Sequence, residues 1–321
     1  MVEYILLVAG FVLLIKGADV LVDGASSFAK KFGISSLVIG LTIVAFGTSA
    51  PELIVNLFAS IQGNTDIAIG NILGSNIANI LLILGISAVI YPLAIQKGTV
   101  FKEIPLSLLA IIVVAIMAND ILVDNRSFSE LTRIDGLVLI SFFIIFLYYT
   151  FGISKAEGEN TSNNIKDRSI IKSVLMAIGG LIALTIGGKW VVDSAMEIAL
   201  NIGISQAVIG LTVVAIGTSL PELATSAVAA YKKNTDIAVG NIVGSNIFNI
   251  FWILGISAII NPLPFSSLLM RDVIATVIAT VLLFLFMFVG KRHHLERWQG
   301  FAFILVYIIY ISVIVYRELT I

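Results

Sequence analysis

The chain has 321 residues, 59% of them hydrophobic and only 12% charged, and its mean hydropathy is +1.07. That much apolar surface excludes a water-soluble domain and makes lipid the expected solvent. A net charge of −1 gives no sign of a nucleic-acid binder, and the lack of cysteine excludes disulfides and thiolate metal sites.

The N-terminus carries Glu3 and no Lys or Arg before the first apolar run. A cleavable signal peptide would begin basic, so the run is expected to stay as a membrane helix. Ten spans are predicted, at 4–24, 36–61, 67–91, 103–121, 134–153, 170–192, 206–231, 237–261, 270–290 and 298–317. Each can cross about 30 Å of hydrocarbon at about 1.5 Å per residue. The stretch 154–169, SKAEGENTSNNIKDRS, is polar and reads as a flexible linker. It divides the chain into an N-terminal half, 1–153, and a C-terminal half, 170–321.

Basic residues set the expected orientation. With the N-terminus outside, the inside loops hold Lys30, Lys31, Lys97, Lys102, Lys155, Lys166, Arg168, Lys172, Lys232, Lys233, Lys291, Arg292 and Arg297. The outside segments hold only Arg126, Arg133, Lys189, Arg271 and Arg317. This bias predicts a multi-pass protein of the plasma membrane with both termini extracellular and the linker cytoplasmic.

A repeat organises the chain. Residues 38–92, VIGLTIVAFGTSAPEL through NTDIAIGNILGSNIANI, align without a gap with 208–262, VIGLTVVAIGTSLPEL through NTDIAVGNIVGSNIFNI, at an offset of 170. Gly10, Gly17, Asp23 and Gly33 extend the likeness weakly to Gly180, Gly187, Asp193 and Gly203. Spans four, five, nine and ten show little likeness and are expected to be scaffold. Five spans per half is odd, so the halves cross the membrane in opposite senses. The fold class expected is an all-α polytopic membrane protein: ten transmembrane helices as two inverted five-helix repeats, the plan of many secondary transporters.

In the second span Ala45, Thr48, Ser49 and Glu52 share a helix face, as do Ala215, Thr218, Ser219 and Glu222 in the seventh. Pro51 and Pro221 are read as lying inside these helices. Each would displace the carbonyl four residues back and leave main-chain oxygens around Ala45, Gly47 and Thr48, and their counterparts, without partners. Asn71, Ser75 and Asn79 form a polar stripe on the third span, and Asn241, Ser245 and Asn249 on the eighth. Gly70 and Gly74, with Gly240 and Gly244, would let helix backbones approach. These are hard oxygen ligands, which suit Ca²⁺, Na⁺, Mg²⁺ or Mn²⁺. Two buried carboxylates cannot both stay ionised and empty: they need a divalent cation, several monovalent ones, or a proton. Intramembrane acids are functional by default.

The paired GTSAPE and GTSLPE motifs, each followed by GNxxGSNxxN, resemble the alpha repeats of the sodium/calcium exchangers, within the calcium/cation antiporter superfamily. The resemblance implies one Ca²⁺ site and several Na⁺ sites where spans two, three, seven and eight cross. Glu52 and Glu222 would bind Ca²⁺ with the carbonyls of Thr48 and Thr218. Ser49, Ser75, Ser219 and Ser245, with the carbonyls of Ala45 and Ala215, would complete the Na⁺ sites, and Asn79 and Asn249 would sit at the centre. It also implies alternating access, the first and sixth spans sliding over the four repeat helices. Several relatives carry Asp where this chain has Asn249, which argues against K⁺ co-transport.

The expected function is Na⁺/Ca²⁺ antiport by a monomer, with Ca²⁺, Na⁺ and the lipid bilayer as partners and no cofactor. Alternatives are a proton-coupled Ca²⁺, Mn²⁺ or Mg²⁺ exchanger and, from another class, a cation channel. An intramembrane enzyme would want a His, a Cys or a Ser beside a base in the spans, and none is present. His293 and His294 read as solvated charge in a basic loop. Asp66 and Asp236 read as helix N-caps, and Lys16, Asp19 and Asp23, like Lys189, Asp193 and Glu197, as local ion pairs.

Overall fold

The computed structural model describes residues 2–123, 127–154, 168–201 and 215–320. Most of the linker, at 155–167, and the first part of the seventh span, at 202–214, lie outside the described residues.

The helices are α1 (Val2–Phe32), α2 (Ser36–Thr48), α3 (Ala50–Ile61), α4 (Thr65–Ile90), α5 (Lys97–Met117), α6 (Arg133–Gly152) and α7 (Ile170–Asn201). A short α8 (Ala215–Gly217) and α9 (Leu220–Tyr231) follow, then α10 (Thr235–Ile260), α11 (Leu268–Phe286) and α12 (Arg297–Tyr316). Among the described residues eight helices are long and apolar enough to cross a membrane, nine if α2 and α3 count as one bent span. In α4 and α10, 78% and 83% of the apolar window is buried, against 22–39% in the other six. These two therefore form the centre, and the rest present Leu, Ile, Val and Phe outward, as a lipid-facing shell requires.

The halves are interlaced. α1 and α7 run antiparallel and touch backbone to backbone along a glycine seam. A methyl group on Gly10 would meet the Gly187 carbonyl at 2.9 Å, and one on Gly17 the Gly180 carbonyl at 3.0 Å. Adding 170 converts the first contact into the second, the relation that a two-fold axis between the helices demands. Only glycine permits this approach. The Ser27 and Ser173 hydroxyls bond at 3.0 Å farther along the seam.

Short strands also cross between halves. β1 (Leu93–Ala94) pairs with β4 (His294–Leu295), and β2 (Glu130–Leu131) with β3 (Leu263–Pro264), both antiparallel. β1 matches β3 at the offset of 170, but β2 matches β4 at 164. The same 164 relates Gly136 of α6 to Gly300 of α12. Gly300 lies against Gly85 of α4, and Gly136 against Gly255 of α10, with a carbonyl 2.6 Å from the added methyl in each case. α6 and α12, expected to be scaffold with little likeness, thus pack alike through these glycines. Gly240 and Gly244 make the expected close approach, to Leu37–Ala45; residues around 207–214, the equivalent region for Gly70 and Gly74, lie outside the described residues.

Three other expectations are corrected. Asn64 and Asn234, not Asp66 and Asp236, hold the N-cap positions of α4 and α10, and the Asn234 side chain accepts from the Ile237 N–H at 3.2 Å. The acids sit in the first turn, where they complement the helix dipole. Asp19 and Asp23 pair with the distant Lys232 rather than with Lys16, at 2.8 and 2.6 Å, and Arg168 joins Asp23 at 3.1 Å. His293 is half-buried, its ring edge-on to Phe101 and Phe288, so it is packing rather than solvated charge.

Candidate cation-binding site

Two broken helices build the site. α2 ends at Thr48 and α3 starts at Ala50, with the axes bent by 46°. Ser49 between them has φ −81° and ψ 6°, and Ser219 between α8 and α9 has φ −86° and ψ 6°. Pro51 and Pro221 fall in the first turn of the new helix, where no N–H is needed. This corrects the expectation of a proline inside a continuous helix: the break precedes it by two residues. The consequence is electrostatic. Glu52 and Glu222 lie in the first turn of α3 and α9, at the positive end of the helix dipole, which favours a carboxylate.

The expected freed carbonyls are not all free. Ala45 accepts from the Ser49 N–H at 3.0 Å. In the second copy the Ser219 N–H donates to Ile216 at 3.1 Å, one residue beyond the corresponding position.

Each carboxylate is held by both halves. The Ser219 and Ser75 hydroxyls donate to Glu52 Oε1 at 3.2 and 3.3 Å. Ser49 and Ser245 donate to Glu222 Oε1 at 2.9 and 3.4 Å. Thr48 donates to Asn241 Oδ1 at 3.0 Å, and Thr218 to Asn71 Oδ1 at 3.3 Å. Both glutamates are fully buried, as are Asn79 and Asn249. These two asparagines stand in π-helical turns, Ala78–Ile83 of α4 and Phe248–Leu254 of α10. Such bulges recur at functional sites because the extra residue re-aims a side chain. Of the twelve residues expected at the site, Glu52, Ser75, Ser219 and Asn249 form one hydrogen-bonded group, which Asn79 joins through Asn246 and Asn76, and Glu222, Ser49 and Ser245 form another. Thr48 and Thr218 flank them, and Ala45 and Ala215 begin the segments that lead into the breaks.

Four oxygens in this neighbourhood are buried without a hydrogen-bond partner: Oε2 of Glu52, Oε2 of Glu222, Oδ1 of Asn79 and Oδ1 of Asn249. They form two symmetry-related pairs, one carboxylate and one amide oxygen from each half. Leaving such a group unsatisfied costs about 1–3 kcal/mol, more when it is charged. Among the described residues no cluster of three or more His, Cys, Asp or Glu occurs, so the neighbourhood supplies two negative charges and otherwise neutral oxygen.

Sequence reasoning missed the residues behind these ligands. Asn246 Oδ1 accepts from Asn79 Nδ2, and Asn76 Oδ1 from Asn249 Nδ2, both at 2.9 Å. Asn56 accepts from Asn71 Nδ2 at 2.6 Å, and Ser226 from Asn241 Nδ2 at 3.0 Å. The identical GSN triplets at 74–76 and 244–246 were the available signal for Asn76 and Asn246, but partners 167 and 173 residues away are not readable from one helix face.

A symmetric, oxygen-lined, two-carboxylate neighbourhood between broken helices inside an apolar bundle defines a secondary transporter of cations. The sodium/calcium exchanger protein family matches residues 2–152 and 172–316, and the chain belongs to it. It is a multi-pass membrane antiporter and not an enzyme. The chain is 40% identical to the uncharacterized membrane protein MJ0091 of Methanocaldococcus jannaschii, over 97% of both sequences. It is 33% identical to the sodium/calcium exchanger MaX1 of Methanosarcina acetivorans, over 98% of this chain and 99% of that one. The fold is similar to that of the sodium–calcium exchanger NCX_Mj soaked with zero Na⁺ and Ca²⁺. The TM-score is 0.83 at 38% identity, covering 97% of this chain and 99% of the other.

Proposed function

We propose that the chain exchanges Na⁺ for Ca²⁺ by alternating access through a single site centred on Glu52 and Glu222. The observation that carries this reading is the set of four buried, unpartnered oxygens. Hard cations would give these oxygens partners, and Ca²⁺ would neutralise the two carboxylates. Glu52 and Glu222 would be shared by both cargoes, binding Ca²⁺ with the carbonyls of Thr48 and Thr218, and Na⁺ ions with the oxygens of Ser49, Ser75, Ser219 and Ser245 and the carbonyls of Ala45 and Ala215. This sharing makes exchange obligatory: the empty site is doubly negative and costly to enclose in low dielectric, while the filled one is not.

The layout proposed is ten spans in two inverted halves, working as a monomer in the plasma membrane, with both termini extracellular. α1 and α7, fused by their glycine seam, would slide as one body over α2, α3, α4, α9 and α10. Three Na⁺ against one Ca²⁺, the ratio suggested by the family resemblance, moves one net charge per cycle. A potential of 100 mV contributes about 2.3 kcal/mol per elementary charge, so a negative interior would favour Ca²⁺ export.

Purified chain in vesicles loaded with Na⁺, diluted into Na⁺-free medium with radiolabelled Ca²⁺ at fixed pH and without K⁺, should take up Ca²⁺ only while the Na⁺ gradient lasts. Uptake that ignores Na⁺ and follows a pH gradient would replace this reading with proton coupling. Uptake with no gradient dependence would point to a channel.

A further inference from the structure

We infer that Asn76 is a positioning residue, fixing which end of the Asn249 amide faces the cation. The two ends of an asparagine amide have nearly the same shape and opposite polarity, so a hydrogen-bond network must choose between them. The network here starts from an atom that allows no choice. Asn76 Nδ2 donates to the main-chain oxygen of Asn246 at 3.3 Å, and a carbonyl oxygen only accepts. Asn76 must therefore turn its Oδ1 the other way, toward Asn249. An acceptor there demands a donor, and Asn249 Nδ2 supplies it at 2.9 Å while also donating to Ser75 Oγ at 3.1 Å. Both amide hydrogens of Asn249 are then used on the far side. Its Oδ1 is left buried and unpartnered.

Asn76 is 2% exposed, and water cannot readily replace it. Without it, Asn249 could turn over and point an NH₂ group at the cation, replacing attraction by repulsion. The inference rests on the proposal that Asn249 Oδ1 is a cation ligand, and deepens it: the ligand is set by a residue of the other half that touches no cation itself.

The test uses the full chain in Na⁺-loaded vesicles and reads the KM for Ca²⁺. Asn249→Ala should raise KM by about tenfold or more, the loss of one strong ligand. Asn76→Leu, close to isosteric, should raise it by about fivefold to tenfold. The decisive arm is Asn249→Asp, which has oxygen at both ends, so turning over changes nothing. In that background Asn76→Leu should not raise KM, because no NH₂ can be turned toward the cation and the leucine removes an acceptor that faces the carboxylate. A merely structural role would lower transport equally in both backgrounds and overturn the inference. An unchanged KM in Asn76→Leu, with a raised one in Asn249→Ala, overturns it too and leaves the site standing. An unchanged KM in Asn249→Ala removes the site reading and the inference together. If Asn76→Leu does not purify as a single species, Asn76→Ala takes its place in the same comparison.

Discussion

Glu52 and Glu222 are held alike, whereas the helix ends beyond them are held differently. Each glutamate accepts from the serine of its own stripe and from the break serine of the other half. The same comparison fails where α9 ends. Lys232 joins Asp19 and Asp23 of α1, and Arg168 completes a partly buried cluster. The position 170 residues earlier is Gln62, exposed, with only Asn64 donating to it at 3.4 Å. The residues matching Asp19 and Asp23 are Lys189 and Asp193, exposed and 3.9 Å apart. The contrast has a physical reason under alternating access. A site used from both sides must present the same ligands in both states, so its two halves are constrained to match. Each helix end serves one side only and is free to differ.

The strongest way to break the matched half of this comparison is to neutralise each acid in turn. Glu52→Gln and Glu222→Gln should each abolish Na⁺-dependent Ca²⁺ uptake, a loss of about 100-fold or more expected when a buried ligand charge is removed. If one variant keeps a tenth of the activity while the other keeps none, the glutamates are not equivalent.

The seam comes next. Gly17 and Gly187 are symmetry mates, and a methyl on either meets main-chain oxygen of the other helix, at 3.0 and 2.8 Å. Gly17→Ala and Gly187→Ala should each destabilise the purified chain by about 1–3 kcal/mol, as overpacking does, and by similar amounts. Thermal unfolding in detergent reads this. A large effect at one position and none at the other would mean that the seam is not a shared contact.

For the unmatched ends, double-mutant cycles give the smaller numbers. Lys232→Gln with Asp23→Asn should show a coupling of about 0.5–1 kcal/mol, the range for partly shielded ion pairs. Lys189→Gln with Asp193→Asn should show about zero, because both side chains are in solvent. Equal couplings would erase the asymmetry.

Much of this was readable beforehand, for identifiable reasons. The repeat kept its polar residues and glycines at a constant offset, so both glutamates, the serines and the stripes declared themselves. The symmetry of the outer spans did not, because the offset falls from 170 to 164 between β1 and β2 and the counterpart β3 and β4. Lipid-facing residues interchange freely, leaving little beyond Gly136 and Gly300, with Arg133 and Arg297, to mark the match. The expectation that Pro51 kinks a helix from within does not hold, because the break comes two residues earlier, at Ser49. In the fold the proline is the second residue of a new helix, which puts Glu52 at a helix start. Lys232 and Asp23 are 209 residues apart, and no local pattern links them.

The finest comparison is between Asn56 and Ser226, the one unlike pair among the residues that steady the stripes. Both anchor to the start of the neighbouring helix: Asn56 Nδ2 donates to the Ala68 carbonyl at 2.9 Å, and Ser226 Oγ to that of Ala238 at 3.2 Å. Both accept from the first asparagine of the stripe, Asn71 or Asn241. One oxygen that donates once and accepts once therefore suffices in the second half. Asn56→Ser should let the first half adopt the same arrangement, at a cost of about 1 kcal/mol for the volume lost, with the KM for Ca²⁺ within about twofold of the parent. Asn56→Leu fills the space but cannot accept from Asn71, and so frees the amide that holds Thr218. It should raise KM several-fold more than Asn56→Ser does. Indistinguishable KM values for the two variants would show that the stripe needs filling and not orienting.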